Sequence, residues 1–235
     1  MVIYITGSSK GIGKALAKAL LDANHVVVGL ARTSSIVHKN YTHISIDLAD
    51  IKDVVEFKFA AHDDNVILIN NAGIIGEIKP LGKNSADHFI KLNTINVISP
   101  QILMNKFMDV YMDCAYKFQI LNISSGAGRH PIDAWACYCS SKASMDMFSE
   151  TINGELKDRG YKNWKVYSVA PGVVDTAMQE DIRNANEGDC LVQKKFIDLK
   201  RNSQLMNPND VAKKLVDIIL GNIEVNDVKL DVRSL

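Results

Sequence analysis

Val2-Ile3-Tyr4-Ile5-Thr6-Gly7-Ser8-Ser9-Lys10-Gly11-Ile12-Gly13 is the stretch on which the fold turns. Its first five residues form a short, β-prone apolar run that Gly7 punctuates. From Ile12 onward, Leu16, Ala19 and Leu20 recur at helical spacing to about residue 23. The pattern is strand, glycine-rich turn, helix. Glycines let the backbone approach a ligand closely and take positive φ. The helix start then offers free N–H groups and a positive dipole end to an anion. A diphosphate suits such a place, held by Gly7, Ser9, Lys10, Gly11, Ile12 and Gly13. An ordinary tight turn is the plainer alternative.

Outward from this unit the same alternation repeats. Strand patterns recur at 26–30, 43–46, 66–69, 118–123, 165–169 and 228–232, and helical patterns at 54–61, 87–112, 137–157 and from Pro208. Such alternation predicts an α/β fold, a single-domain Rossmann fold with a doubly wound parallel sheet of about seven strands. No linker divides residues 1–235. Segment 177–207 is polar with weak helical pieces and reads as a substrate loop or lid rather than a core element.

In such sheets ligands bind beyond the carboxyl ends of the strands. The candidate residues all follow strand ends. After the second strand, Arg32 and Thr33 stand where a dinucleotide site that holds a ribose hydroxyl would carry an acidic residue, and none occurs between Asp22 and Asp47. Arg32 and Lys10 together suit a 2′-phosphate, with Thr33 and Ser34 able to add hydroxyls, so NADP is expected over NAD. Asp47, with Leu48 beside it, either accepts from an adenine amino group or caps the next helix. Asn70-Asn71-Ala72-Gly73 would let backbone lie against a ribose, though Asn-rich turns also arise for conformational reasons. Asn96 falls on an apolar helical stretch, where it kinks the helix, holds a water or is satisfied internally. Thr176, in Pro171-Gly172-Val173-Val174-Asp175-Thr176, either donates to a carboxamide or caps a helix.

Chemistry concentrates between Ser125 and Lys142. Tyr138 and Lys142, four apart on a helix, share one face. A phenol with a pKa of about 10 is a poor acid at neutral pH, and a nearby ammonium is expected to lower it. Ser125, at the end of a buried strand, can hold a carbonyl oxygen meanwhile. Cys137 and Cys139 flank Tyr138, but only Lys142 is placed to lower a thiol pKa. A core tyrosine and a surface lysine are the plain alternative.

Composition excludes several functions. Lys plus Arg and Asp plus Glu number 27 each, so net charge argues for neither nucleic acid nor membrane. Four cysteines and six histidines show no metal-ligand spacing, so no metal is expected. The N-terminus runs straight into a strand pattern without the basic and apolar regions of a signal peptide, which predicts a cytoplasmic protein.

The chain resembles the short-chain dehydrogenase/reductase family over nearly its whole length. Thr6-Gly7-Ser8-Ser9-Lys10-Gly11-Ile12-Gly13 is similar to the family's Thr-Gly-x-x-x-Gly-x-Gly cofactor turn. Asn70-Asn71-Ala72-Gly73 looks like its Asn-Asn-Ala-Gly motif. Asn96, Ser125, Tyr138 and Lys142 match its catalytic tetrad in order, with a thirteen-residue step from Ser to Tyr. Pro171-Gly172, Val174 and Thr176 resemble its nicotinamide-side motif. Within the family, Asn122-Ile-Ser-Ser, Pro131, Trp135-Ala-Cys-Tyr138 and the segment 170–179 resemble the sepiapterin reductase and benzil reductase branches.

The resemblance implies an NADPH-dependent carbonyl reductase acting on a small vicinal dicarbonyl. Tyr138 would give a proton to the carbonyl oxygen. Lys142 would lower the tyrosine pKa and hold the nicotinamide ribose, Ser125 would orient the carbonyl, and Asn96 would support a proton-relaying water. Trp135, Cys139 and segment 177–207 are candidate pocket walls, and Asp231 lies near the position of a pterin-anchoring carboxylate. The helices at 87–112 and 137–157 imply a homodimer or homotetramer. Two alternatives stay open: a family member working on another alcohol/ketone pair, and an NADP-sensing or scaffold protein.

Overall fold

The computed structural model describes residues 1–186 and 188–235. Seven parallel strands form one sheet: β1 (Val2–Thr6), β2 (Val26–Ala31), β3 (Tyr41–Ser45), β4 (Val66–Asn70), β5 (Phe118–Ile123), β6 (Trp164–Ala170) and β7 (Lys229–Asp231). Their order is β3-β2-β1-β4-β5-β6-β7. The expectation of a doubly wound sheet of about seven strands is borne out.

Strand alternation explains the two layers of helices. Successive side chains point to opposite faces, so Ile3 and Ile5 of β1 face one layer while Val2 and Tyr4 face the other. On the first face Leu16 and Leu20 of α1 (Gly11–Asp22) meet Val211 and Leu215 of α8 (Pro208–Leu220). On the second, Val54 of α2 (Ile51–Glu56), Leu103 and Phe107 of α4 (Ser99–Tyr111), and Met145 and Ile152 of α5 (Ala136–Asp158) pack together. Each fully buried Leu or Phe contributes about 1.5–3 kcal/mol, and the central strands β1 and β4 are buried along their whole length, as in a parallel sheet covered on both faces.

Several boundaries differ from the sequence reading. α2 ends at Glu56, not near residue 61, because Phe57 and Phe59 turn inward and stack edge-to-face with each other and with Tyr4. The helix expected over 87–112 is α3 (Ala86–Asn93), a π-helical turn (Thr94–Ile98) and then α4. The strand expected over 228–232 stops at Asp231, and Val232–Ser234 forms a short 3-10 turn.

Segment 177–207 carries more structure than its polarity suggests. α6 (Ala177–Arg183) and α7 (Gln193–Arg201) bury Ile182 and Phe196 in a third apolar cluster with Ile75, Leu92, Trp135 and Tyr138. The excursion is pinned at its base: Asp175 N donates to Met206 O, Met206 N donates to Val173 O (2.9 Å each), and Lys200 pairs with Asp175 at 2.6 Å.

Candidate active site

The strand order reverses between β1 and β4, which opens a crevice at their carboxyl ends. Two turns are locked together there. Thr6 Oγ1 accepts from the N–H groups of Asn71 (3.0 Å) and Ala72 (3.1 Å). Asn71 Nδ2 donates to the carbonyls of Thr6 (3.0 Å) and Gly7 (3.2 Å). A Cβ at Gly13 would lie 2.3 Å from Asn71 Nδ2 and 2.4 Å from Gly7 O, so only glycine permits this contact. Lys10 occupies the cap position of α1 without a side-chain cap, and Gly11 follows at φ +56°. Among the described residues the first-turn N–H groups of α1 therefore have no side-chain acceptor, and this donor set fits the diphosphate of a dinucleotide.

The other cofactor candidates surround that turn. Thr176 stands at the cap position of α6 but makes no cap bond, and its Cγ2 would be 3.4 Å from a Cβ at Gly11. Val174 is buried, and Gly172 takes φ +81° beside Met206 and Arg233. Ser9 lies half-buried in the turn. Arg32, Thr33 and Lys10 are exposed, and among the described residues neither cation enters an ion pair. Ser34 cannot serve as a free hydroxyl donor: it donates to Tyr41 Oη at 3.1 Å and accepts from Ile36 N at 3.1 Å. The cap of α2 is Asp50, and Asp47 instead accepts from Ala49 N at 3.0 Å. Leu48 is buried, with its carbonyl taken by Ser99 Oγ at 2.7 Å.

Tyr138 and Lys142 lie one turn apart on α5, and both are buried, at 6% and 4% exposure. Lys142 Nζ sits 5.8 Å from the Tyr138 ring centroid and donates to Ile123 O at 2.7 Å. A Cβ at Gly73 would stand 3.5 Å from Lys142 Nζ and 3.4 Å from Asn96 Oδ1, so the turn after β4 reaches the same spot. Ser125 follows β5, and its hydroxyl accepts from Ala127 N at 3.2 Å.

The electrostatics correct one expectation. The Tyr138 phenol is raised rather than lowered: burial pushes it up to about 12, against the pull of the Ser125 hydroxyl. Burial also brings Lys142 down to about 8, opposed by the Asp146 carboxylate. Desolvation outweighs the Ser125 hydrogen bond at the phenol and the Asp146 charge at the ammonium. The thiols of Cys137 and Cys139 are likewise pushed up by burial, which leaves them poor nucleophiles.

Asn96 occupies the π-helical turn, and its amide is used by the protein. Oδ1 accepts from Ile74 N at 2.9 Å, while Nδ2 donates to Ile74 O at 2.9 Å and to Ser141 Oγ at 3.2 Å. Of the readings left open by the sequence, the internally satisfied one describes the side chain. Asp231 is also engaged: Arg233 contacts both carboxylate oxygens, at 2.9 and 2.6 Å. Trp135 lies edge-on to Tyr138 (5.7 Å between centroids) and stacks on Phe196 (5.3 Å), with its indole nitrogen buried and unpartnered.

Some neighbours of the site escaped the sequence reading. Met178 Sδ lies 3.9 Å from the Tyr138 hydroxyl oxygen, and Phe196 backs Trp135; both fall in the 177–207 segment expected to wall the pocket, but no periodicity singles out either one. Asp146 binds Arg129 Nε at 3.1 Å and Ser168 Oγ at 2.5 Å, and its place one turn beyond Lys142 was a readable signal.

Among the described residues no helix is long and apolar enough to cross a membrane, and no group of three His, Cys, Asp or Glu is placed to hold a metal ion. The family model for short chain dehydrogenase matches residues 1–187. A benzil reductase ((S)-benzoin forming) of Bacillus cereus is 34% identical, over 92% of this chain and 93% of its own. A sepiapterin reductase of Bos taurus is 25% identical, over 92% and 88%. The solved structure of the KRED1-Pglu enzyme superposes with a TM-score of 0.82 at 27% identity, covering 97% of this chain and 99% of that one. With the strand order, the locked glycine turn and the Tyr138–Lys142 pair already in place, the match assigns the chain to the short chain dehydrogenase family.

Proposed function

We propose that this protein is an NADPH-dependent carbonyl reductase that delivers hydride to one ketone of a small vicinal dicarbonyl of benzil or pterin-ketone type. The observation that carries this reading is the buried phenol–ammonium pair of Tyr138 and Lys142, set against the apolar walls of Trp135, Ile75 and Phe196. When bound, the nicotinamide supplies the hydride.

The chain's own residues handle the proton. With its pKa raised to about 12, Tyr138 keeps its proton at neutral pH and holds it for the carbonyl oxygen. Such a phenol is a reluctant acid alone, so the phenolate left behind needs the Lys142 charge 5.8 Å away. Ser125 orients the same oxygen. Asn96 acts by pinning Ile74 to the π-helical turn, which fixes the loop that continues from Gly73 beside Lys142. Positioning of this kind and general acid catalysis each lower the barrier substantially, the latter by about 10²–10⁴-fold.

Support for NADPH is the pair of exposed cations, Lys10 and Arg32, with no acid at the end of β2. Support for the substrate is the apolar cluster together with the names of the relatives. Segment 177–207 serves as the lid of a single domain spanning 1–235. Exposed Ile90, Ile98 and Met147 on the α3, π-helical and α5 segments favour a homo-oligomer, and four free thiols favour the cytoplasm.

The test is NADPH and NADH oxidation by the purified protein with benzil, a short aliphatic diketone, a pterin ketone and a simple monoketone. The expected result is at least about tenfold higher kcat/KM with NADPH and a preference for dicarbonyls over the monoketone. Tight NADP+ binding without turnover of any carbonyl would instead favour a sensor.

A further inference from the structure

Gly29 stands inside β2, where a glycine weakens a strand and marks a close approach. What approaches is Tyr41. Its residue opens β3 beside Val27, and its side chain runs along the sheet across Gly29 toward the carboxyl ends. A Cβ at Gly29 would lie 2.1 Å from Tyr41 Oη. The hydroxyl ends at a junction, 3.2 Å from Ser8 Oγ in the glycine turn and 3.1 Å from Ser34 Oγ, which donates to it. Ser8 is completely buried, so one end of the junction is rigid.

We propose that Tyr41 is a positioning residue for cofactor selection: its hydroxyl latches segment 32–35, which carries Arg32, to the glycine turn. The latch rests on the NADPH reading given above. Arg32 is exposed and has a long, flexible side chain, so the backbone that bears it must be ordered for two cations to converge on one phosphate. Ser34 transmits that order, since it also receives Ile36 N at 3.1 Å and thereby shapes the turn. Two further ties, Lys14 Nζ to Ser35 Oγ at 2.8 Å and Ser45 Oγ to Arg32 O at 3.4 Å, are solvent-exposed and hold the segment less firmly. Ordering the segment before binding removes a cost that NADP would otherwise bear, whereas NAD, lacking the 2′-phosphate, gains little from it.

Calorimetric titration of wild type, Tyr41→Phe and Ser34→Ala with NADP+ and with NAD+ tests this. Tyr41→Phe keeps the ring packing, and Ser34→Ala removes the other end of the bond. Both variants are expected to bind NADP+ about five- to tenfold more weakly, with NAD+ affinity changed by less than about twofold. Arg32→Ala combined with Tyr41→Phe should be no weaker toward NADP+ than Arg32→Ala alone, because the latch acts through Arg32. Equal losses for both cofactors would reveal a merely structural tyrosine and overturn the proposal. A wild-type NADP+ preference that stays undiminished in both variants overturns the latch alone; a wild type with no preference overturns the NADPH reading and the latch with it.

Discussion

At the residue scale, burial sets the chemistry of the site. A phenol held near 12 does not titrate in the working range, while an ammonium held near 8 does. A lysine is charged below its pKa, so the stabilising cation beside Tyr138 is present at neutral pH and lost as pH rises through about 8. The reduction rate at saturating cofactor and substrate is therefore expected to fall by about tenfold for each unit above that point, in a pH series of kcat. Lys142→Met should remove this alkaline limb and lower kcat most at and below neutral pH, where the wild-type lysine is charged. The sequence showed that Tyr138 and Lys142 share a helical face, because spacing alone decides that. It misjudged the direction of the phenol shift, because spacing does not reveal that α5 buries Tyr138 against Trp135, Ile182 and Phe196. The engagement of Asn96 and Asp231 was hidden for a similar reason: their partners, Ile74 and Arg233, are fixed only by the folded chain.

At the element scale, the π-helical turn between α3 and α4 is where local structure and function meet. A π turn widens the helix by one residue and is common at functional sites. Here it presents Asn96, whose amide clips both backbone groups of Ile74. Asn96→Ala would leave the half-buried N–H and C=O of Ile74 and the buried Ser141 hydroxyl without this partner, and denaturant unfolding should show a loss of about 1–3 kcal/mol. Turnover should fall with it, as the loop after Gly73 loosens. Strands were legible because each central one is a short run of β-branched and other apolar residues, such as Val66 to Ile69. Helix ends were less so. Phe57 and Phe59 continue an apolar periodicity, yet they leave α2 to stack on Tyr4, a partner distant in sequence. Polar spacing likewise concealed α6 and α7, whose burial rests on Ile182 and Phe196.

At the scale of the whole molecule, one sheet holds every candidate group at its carboxyl edge, with the 177–207 excursion folded over Tyr138. Phe196 is the anchor of that cover, stacked on Trp135. Phe196→Ala should destabilise the protein by about 3–5 kcal/mol if the cover unfolds together with the domain. It should also raise KM for the dicarbonyl more than it lowers kcat, measured in steady state. Cofactor binding stabilises the whole domain by mass action: at a hundred times its Kd, NADP+ should add about 2.7 kcal/mol, and NAD+ at the same concentration distinctly less. Thermal unfolding with each nucleotide checks this. The overall architecture was legible from the first strand–turn–helix unit onward, since alternation dictates a parallel sheet. The polarity of segment 177–207 points to a lid, but its two helices and the stacking of Phe196 on Trp135 were not legible, because that contact joins residues more than a whole element apart. Delivery of the proton by Tyr138, with Lys142 stabilising the phenolate left behind, is probed by comparing Tyr138→Phe with wild type in benzil reduction by NADPH and in NADP+ titration. The expected result is a kcat lower by about 10²-fold or more with NADP+ affinity within about twofold; turnover that survives the substitution, or an equal collapse of cofactor binding, would overturn this role for Tyr138.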